Sequence, residues 1–407
     1  MGRQSLKNLH ANPHTHLRAL PELARAFLGM LASATLVLAA CNPTGPRSIH
    51  GGRALYNEAI AATSSEQLLL NLVRLRYRDT PVFLEVTSVS TSFTLENSLG
   101  INGQAGLNTV ADDFAGASAG ISFAERPTIT YLPLQGEQFA TRMLTPLRPR
   151  VLVLLANSGW AIDRVLLIGV QRLGPLVNAP SASGPTPSLA PQYEDFLELV
   201  RALRTLQREH ELSLTLVSQG PAPGDGMGHV GGEDLLGITL PASVKDTTEY
   251  ATVLELLDID GASTNPDGSL TIVCSLRSGA VGADASGPGG PLPLVTRSLM
   301  SSMFFLSHAV AVGEQDEQAG IVTTTRTRDG ERFDWNDLLV NTFRVQTSNE
   351  RPTGAQTAIR HRGRWFWVDD ADLTSKSTMG LMQQLFALQA GDIRGGGPIL
   401  TLPLSGN

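Results

Sequence analysis

The chain has 407 residues, of which 42% are hydrophobic and 17% are charged, and its formal net charge is −7. These values predict a globular protein of one large or two medium domains. The acidic balance argues against nucleic acid as a partner, because binding to a phosphate backbone requires a basic surface.

The first forty residues predict an export signal rather than part of the folded protein. Basic residues lie in a polar leader, and an apolar run over residues 27–38 follows it. This run is too short to span a bilayer as a permanent helix. It ends in the residues Leu38-Ala39-Ala40-Cys41.

These four residues resemble the lipobox of bacterial lipoproteins. The resemblance implies that residues 1–40 are a signal peptide and that cleavage leaves a lipid-bearing Cys41 as the first residue. Asn42 stands where aspartate would signal retention at the inner membrane. The resemblance therefore implies a lipid anchor in the outer membrane of a Gram-negative cell, facing either the periplasm or the surface.

A polar tether is predicted over residues 41–53, followed by a helix. Ser64 or Ser65 would cap this helix, and Asp79-Thr80-Pro81 would end it. Residues 66–81 resemble a segment of uncharacterised proteobacterial lipoproteins. That resemblance supports the same compartment and implies no activity.

From Thr87 to Tyr131, apolar and small polar residues alternate with a period of two. This pattern predicts two extended strands, which we interpret as a long amphipathic β-hairpin at about 87–131. A fold about Ala111 would pair Ile101 with Ile121 and Leu99 with Phe123. The candidate residues for contact with a membrane or partner are Phe93, Leu95, Leu99, Ile101, Ile121 and Phe123.

The remaining pattern predicts an α+β (mixed α/β) fold of two modules with mixed sheets. The N-terminal α/β module covers residues 54–218 and includes the hairpin; the C-terminal α/β module covers 219–407 and carries Gly/Pro-rich loops. Further helices are predicted at 137–144, 150–156, 195–209, 247–257, 295–312 and 375–388. Further strands are predicted at 164–172, 212–217, 270–276, 343–346, 357–360 and 365–368, with a turn at Arg362-Gly363.

No motif in the chain predicts a catalytic, cofactor-binding or metal-ligating residue. A Gly-x-Ser-x-Gly elbow, a phosphate-binding loop and a His-Glu-x-x-His pair are absent from the sequence. Cys274 lies in a predicted core strand and is interpreted as a small buried hydrophobe. Asp258-Ile259-Asp260-Gly261 is interpreted as a turn rather than a calcium loop.

Two interpretations remain open for Trp365 and Trp367, which share one face of a predicted strand. The pair could stack on a sugar or lie at a membrane interface. Because Phe366 and Val368 make the other face apolar too, we favour a strand that is buried on both sides.

These observations favour a non-enzymatic, lipid-anchored envelope protein that acts as a scaffold or binding component of an envelope complex. Its expected partners are the membrane, through the lipid on Cys41, and either further copies of the chain or other envelope proteins. The alternative is an oligomeric export or pore component that contributes the 87–131 hairpin to a shared β-barrel. A more distant alternative is an envelope hydrolase.

Overall fold

The computed structural model of the protein describes residues 44–104, 114–210, 212–218, 234–259, 264–276, 290–339, 341–390 and 400–403. Backbone contacts divide the chain into two units, Met1–Ile60 and Ala61–Asn407. In the first unit, the described residues belong to helix α1 (Thr44–Arg76), which begins inside the predicted tether. The predicted signal peptide and Cys41 lie outside the described residues.

The second unit combines helices with mixed sheets, so the predicted α+β fold class is confirmed. After α1, the helices are α2 (Glu137–Leu144), α3 (Pro149–Asn157), α4 (Ile162–Gly169), α5 (Glu194–His210), α6 (Thr248–Leu256), α7 (Leu299–Ser307), α8 (Glu314–Gln318), α9 (Asn336–Leu339) and α10 (Leu373–Ala390). The strands are β1 (Leu84–Gln104), β2 (Phe114–Pro133), β3 (Val170–Leu173), β4 (Leu176–Val177), β5 (Ser213–Ser218), β6 (Asp234–Leu240), β7 (Leu270–Leu276), β8 (Leu292–Thr296), β9 (Gln346–Ser348), β10 (Ala355–His361), β11 (Arg364–Asp369) and β12 (Leu400–Pro403).

A six-stranded sheet supplies much of the core. Its order is β4-β3-β8-β7-β6-β5, and its neighbours are antiparallel except for β7 and β8. Alternate residues of β7 are buried, as its period of two requires. Helix α5 buries Phe196, Leu199, Val200 and Leu203 at helical spacing in the same core. The module boundary predicted at 218/219 falls between β5 and β6, which pair with each other.

Strands β1 and β2 pair antiparallel from Leu84–Pro133 to Gln104–Phe114, and we call this pair the β-ribbon. Strand β12 pairs with β2 at its base, opposite Thr128–Tyr131. The segment 105–113 between the two strands lies outside the described residues.

The ribbon register differs from the predicted one by four residues. Ile101 lies opposite Ala117, and Leu99 lies opposite Ala119. The predicted partners Ile121 and Phe123 lie opposite Asn97 and Leu95 instead. A period-two pattern is unchanged by any even shift, so the sequence could set which residues share a face but not the pairing itself.

A three-stranded sheet of order β10-β11-β9 completes the described strands. The turn predicted at Arg362-Gly363 joins β10 to β11, with φ of 48° and 83°. Two successive positive φ angles suit a tight hairpin turn, and glycine adopts such a conformation without steric cost. Phe366 and Val368 are fully buried, whereas Trp365 and Trp367 are only partly buried. The favoured interpretation of this strand as buried on both sides therefore holds for one face alone.

Two element predictions are wrong in an instructive way. The predicted strand 164–172 is mostly helix α4, and only Val170–Leu173 is extended. The predicted helix 295–312 begins as strand β8, and its helical part is α7. Both runs are apolar on all sides, and a short run without periodicity does not distinguish a buried helix from a buried strand.

No helix in the described part of the chain is both long enough and apolar enough to cross a bilayer.

Candidate functional site

The predicted contact residues lie along the ribbon, and the structure gives their backbone register. Phe93 lies opposite Glu125, Leu95 opposite Phe123, and Ile121 opposite Asn97. Beyond the irregularity between Val86 and Ser88, odd-numbered residues are paired with odd-numbered residues. All six candidates therefore belong to one face of the ribbon by register. Cys41, the predicted lipidation site, lies outside the described residues.

The base of the ribbon is held on helix α1 by two side-chain amides. Fully buried Asn71 donates to the carbonyl of Val82 at 2.8 Å and accepts from its N–H at 3.0 Å. One helical turn earlier, Gln67 makes the same pair of bonds with Leu84, at 3.1 and 2.8 Å. Residues four apart lie on one face of a helix, so the two amides together fix the entry into β1.

An aromatic cluster supports the same point. The ring of Phe83 stacks on Phe386 of α10 and meets Phe139 of α2 edge-on, with both centroid distances at 5.4 Å. The N–H of Leu134, which follows β2, donates to the carbonyl of Phe83, which precedes β1. This bond joins the two strands at the base of the ribbon. Polar and apolar contacts thus anchor the base of the ribbon in the core.

A cavity of about 370 Å³ lies elsewhere in the same unit, at the end of α1. Its walls are Arg76, the loop His308–Val312 after α7, the segment Arg332–Asn336, and Arg344–Val345. Val345 exchanges backbone hydrogen bonds with Ala309 and Ala311, which holds two of these walls together. The cavity is thus built from segments far apart in the sequence.

His308 forms an aromatic wall of this cavity. The residue is 3% exposed, and its ring stacks on Trp335 with centroids 4.2 Å apart. Nε2 lies 3.1 Å from the carbonyl oxygen of Ala182, which can only accept, so Nε2 carries the proton. Nδ1 is then left to accept from the hydroxyl of Thr186 at 3.4 Å.

Burial, reinforced by the nearby charge of Arg76, lowers the pKa of His308 to about 3. The imidazole is therefore neutral at physiological pH, and both of its nitrogens are engaged within the protein. Such a group is better suited to form a wall than to transfer protons.

Arg76 lies beside His308 and is 4% exposed. Its Nη1 donates to the Thr186 hydroxyl and to the carbonyl of Thr323, both at 3.1 Å. Its Nε is buried without a hydrogen-bond partner among the described residues. Burial lowers the pKa of Arg76 to about 10, so the guanidinium stays charged at neutral pH.

Two further arginines line the cavity mouth. Arg332 is exposed and forms an ion pair of 2.7 Å with Glu317. Arg344 is exposed, and its side chain forms no ion pair with a described residue. Asp334 is the acidic residue in the lining, and its carboxylate accepts from Asn336. The lining therefore carries more positive than negative charge.

A second polar cluster follows Arg76 along the chain. The Tyr77 hydroxyl donates to Asp316 at 2.6 Å, and burial together with this bond raises the pKa of Tyr77. Asp79 accepts from Arg362 at 2.8 Å and from His361 at 3.0 Å. These bonds join the end of α1 to the β10–β11 turn, so the cluster has a structural role.

Arg297 is fully buried in the core. Its three nitrogens donate to five oxygens, and its guanidinium lies 4.0 Å from the centroid of Phe305. Two acceptors are the carbonyls of Leu167 and Val170 at the C-terminal end of α4. A cation at this end of a helix satisfies its last carbonyls and complements its dipole.

Cys274 is fully buried in β7, and burial raises its pKa to about 12. It packs as a small hydrophobe, as the sequence predicts. Within the described ranges, no three His, Cys, Asp or Glu side chains are placed to hold a metal ion. A second cavity, of about 70 Å³ beside Asp163 and Arg201, is far smaller than ordinary ligand pockets.

No known protein-family model matches the chain, and comparisons with curated proteins and with solved structures found no match. The chemistry of the site is therefore inferred from its own residues.

Sequence reasoning missed the cavity altogether. Arg76 is separated from Arg332 and Arg344 by more than two hundred residues, and none of the three belongs to a motif. One local signal was present in Arg332-Phe333-Asp334-Trp335-Asn336, where aromatic and polar residues alternate between two predicted elements. Binding residues are concentrated in loops that a rigid scaffold positions, so such a segment is a candidate wall for a site.

Proposed function

We propose that the protein is a non-enzymatic lipoprotein, anchored through Cys41 in the outer membrane, that acts as a scaffold or binding component of an envelope complex. The Leu38–Cys41 lipobox resemblance supports the anchor. The observation that carries the binding role is the β-ribbon, whose strands are 21 and 20 residues long.

A two-stranded ribbon of this length needs support from outside itself. Isolated hairpins are marginally stable in water, and strand edges present unpaired backbone groups that can pair with another chain. The pairing described for a third strand covers four residues of β2, opposite β12 at the base. Anchored by Asn71 and Gln67, the rest of the ribbon is suited to binding a partner by strand addition or through its apolar face.

Labelling with alkyne-tagged palmitate in a Gram-negative host tests the anchor. We expect the full chain and a Cys274→Ala control to be labelled and to fractionate with the outer membrane. We expect Cys41→Ser to carry no label. Labelled Cys41→Ser, or an unlabelled wild type, would contradict the proposal.

The register favours one second candidate, an oligomeric outer-membrane pore. Because the six candidate contact residues share a face, several ribbons side by side could present an apolar wall to lipid. Each strand spans about 65 Å, well beyond the ~25 Å apolar band of an outer-membrane barrel. The excess length makes the scaffold the better supported candidate.

A shortened ribbon separates the two candidates. Ser90 lies opposite Thr128, so residues 91–127 can be replaced by Asn-Gly, which closes a two-residue hairpin. If the protein is a scaffold, dye-loaded liposomes should stay intact with the lipidated wild type and with the shortened variant alike. Detergent-stable oligomers that release dye only when the ribbon is complete would establish the pore instead.

A further inference from the structure

We infer that the cavity beside Arg76 binds a small organic anion that carries a carboxylate or phosphate group. The inference goes beyond the proposed scaffold role. It depends on neither the lipid anchor nor the ribbon.

The unsatisfied hydrogen-bonding capacity of Arg76 is the first step. Of its three nitrogens, only Nη1 donates to a described residue. Its charge is buried, and no carboxylate of the described residues lies within ion-pair distance of it. A buried cation with unused donors costs free energy until an acceptor arrives. Because Nε is closed off from solvent, the donor that a ligand in the cavity can reach is Nη2. A carboxylate or phosphate oxygen is the acceptor that best matches its charge.

The charge of the lining is the second step. Arg76, Arg332 and Arg344 line the cavity together with Asp334. Glu317 forms an ion pair with Arg332 and also acts on Arg76 at longer range. Arg76 at the inner wall and Arg344 at the rim are therefore the lining cations without an ion-pair partner among the described residues. The full chain carries a net charge of −7, so this local excess of positive charge runs against the overall balance. A cleft with such a field attracts small anions.

The third step is the shape and polarity of the remaining wall. The His308–Trp335 stack and the chain from Ala309 to Val312 give an aromatic and aliphatic surface beside the arginines. At about 370 Å³ the cavity lies within the range of small-molecule sites. A ligand with an anionic head and a small apolar body would contact both the arginines and the apolar wall, whereas an inorganic ion would leave the apolar wall in contact with water.

Thr186 links this wall to Arg76 and fixes the orientation of both. Its hydroxyl accepts from Arg76 Nη1 and can donate its own proton to His308 Nδ1. Because Thr186 is 2% exposed, this chain of bonds is shielded from water. The guanidinium is therefore held in place before any ligand binds, which reduces the entropic cost of binding.

Isothermal titration calorimetry on the purified full chain tests the inference. The probes are inorganic phosphate, glutarate and phenyl phosphate, at ionic strength matched with chloride. We expect phenyl phosphate or glutarate to bind, and the organic probes to bind more tightly than inorganic phosphate. Vesicles of phosphatidylglycerol against phosphatidylcholine form a separate arm, which shows whether a lipid headgroup can supply the same anion.

Variants locate the binding. We expect Arg76→Met and Arg344→Met each to weaken the organic anion at least tenfold. Arg150→Met, which removes the same charge from an exposed position on α3, should leave affinity unchanged. Since Arg344 is exposed, its variant remains informative even if Arg76→Met fails to fold.

Three outcomes would overturn the inference. One is that none of the three probes binds and that phosphatidylglycerol vesicles do not bind either. Another is an equal loss of affinity in Arg344→Met and Arg150→Met, which would indicate nonspecific charge attraction. The third is vesicle binding alone that Arg344→Met leaves unaltered, which would place the interaction elsewhere.

Discussion

Arg76 and Arg297 are both buried cations, yet their surroundings differ completely. Arg297 donates from all three nitrogens to five oxygens and lies over the Phe305 ring. Arg76 donates from one nitrogen to two oxygens and lines an open cavity. Burial lowers the pKa of Arg297 to about 9 and that of Arg76 to about 10, so both stay charged at neutral pH.

The difference separates a structural arginine from a binding one. The carbonyl oxygens around Arg297 fully compensate for the water it has lost, and in return it organises the end of α4 and the residues after β4. The surroundings of Arg76 compensate only in part, because its Nε has no hydrogen-bond partner among the described residues and the side chain lines a cavity. Burial alone does not indicate a role; the number of satisfied donors does.

The largest expected effect comes from removing the structural arginine. Arg297→Met leaves the carbonyl of Asn178 without this donor, removes the hydrogen bond to the Ser183 hydroxyl and ends the contact with Phe305. A buried acceptor without a partner costs about 1–3 kcal/mol, and the other two lost contacts add to it, so we expect a loss of about 3 kcal/mol. Urea denaturation followed by circular dichroism measures it, with Arg150→Met as the control. A loss below about 1 kcal/mol would remove the distinction between the two arginines.

Acid should destabilise the protein through His308, which is buried beside Arg76. Its folded pKa of about 3 lies below the ordinary 6.5, so between these values the unfolded chain binds a proton that the folded chain does not. Stability should therefore fall as pH falls through that window, by about 1.4 kcal/mol per pH unit. The unfolding free energy of His308→Phe should depend less on pH, whereas His210→Asn should behave as the wild type. Equal slopes in all three proteins would refute the burial of a neutral imidazole.

Asn71→Ala should cost about 2 kcal/mol, because it leaves the N–H and carbonyl of Val82 unpaired at the ribbon base. Gln67→Ala is the matched variant, since it breaks the same two bonds with Leu84 in an exposed position. We expect Gln67→Ala to cost less than half as much, because water replaces its bonds. Equal losses of unfolding free energy in urea denaturation would mean that burial does not decide the strength of these hydrogen bonds.

The smallest effect is expected at the exposed ion pair between Arg362 and Asp79. Arg362 is a third kind of arginine in this protein. Hydrogen bonds from Arg362, with a smaller contribution from His361, hold the pKa of Asp79 below its ordinary value of 3.8. The stabilisation is therefore present above 3.8 and lost as pH falls through the lower folded pKa. Asp79→Asn should cost less than about 1 kcal/mol at neutral pH. The cost should shrink in acid, and a cost that grows there would contradict the sign.

The sequence predicted most elements whose hydrophobic period was clear. Helix α5 and strand β7 were predicted within one residue of their observed ends, because their buried faces repeat at 3.6 and 2.0. It failed at α4, where Val165 to Ile168 are buried on every side. It also missed β6, which follows directly after a glycine-rich segment.

The candidate site was beyond sequence reasoning for a different reason. Arg76 follows a helical pattern that explains it as an ordinary last-turn cation, and Arg344 lies in a segment with no motif. Only the packing of α1 against the loop after α7 brings them to one cavity. The ribbon, in contrast, was visible in the sequence because its alternation is local, although its register was not.

The central claim is that Arg76 binds a ligand, and the unfolding free energy of Arg76→Met tests it most directly. The measurement compares wild type and variant in chloride and then with phenyl phosphate or glutarate present. In chloride we expect the variant to lose less than about 1 kcal/mol, because the change also removes the cost of burying a charge. The organic anion should stabilise the wild type by about 1.4 kcal/mol at ten times its dissociation constant, and the variant, which binds at least tenfold more weakly, by no more than about 0.4 kcal/mol. A variant as unstable as Arg297→Met, with no stabilisation of the wild type by either anion, would contradict the account.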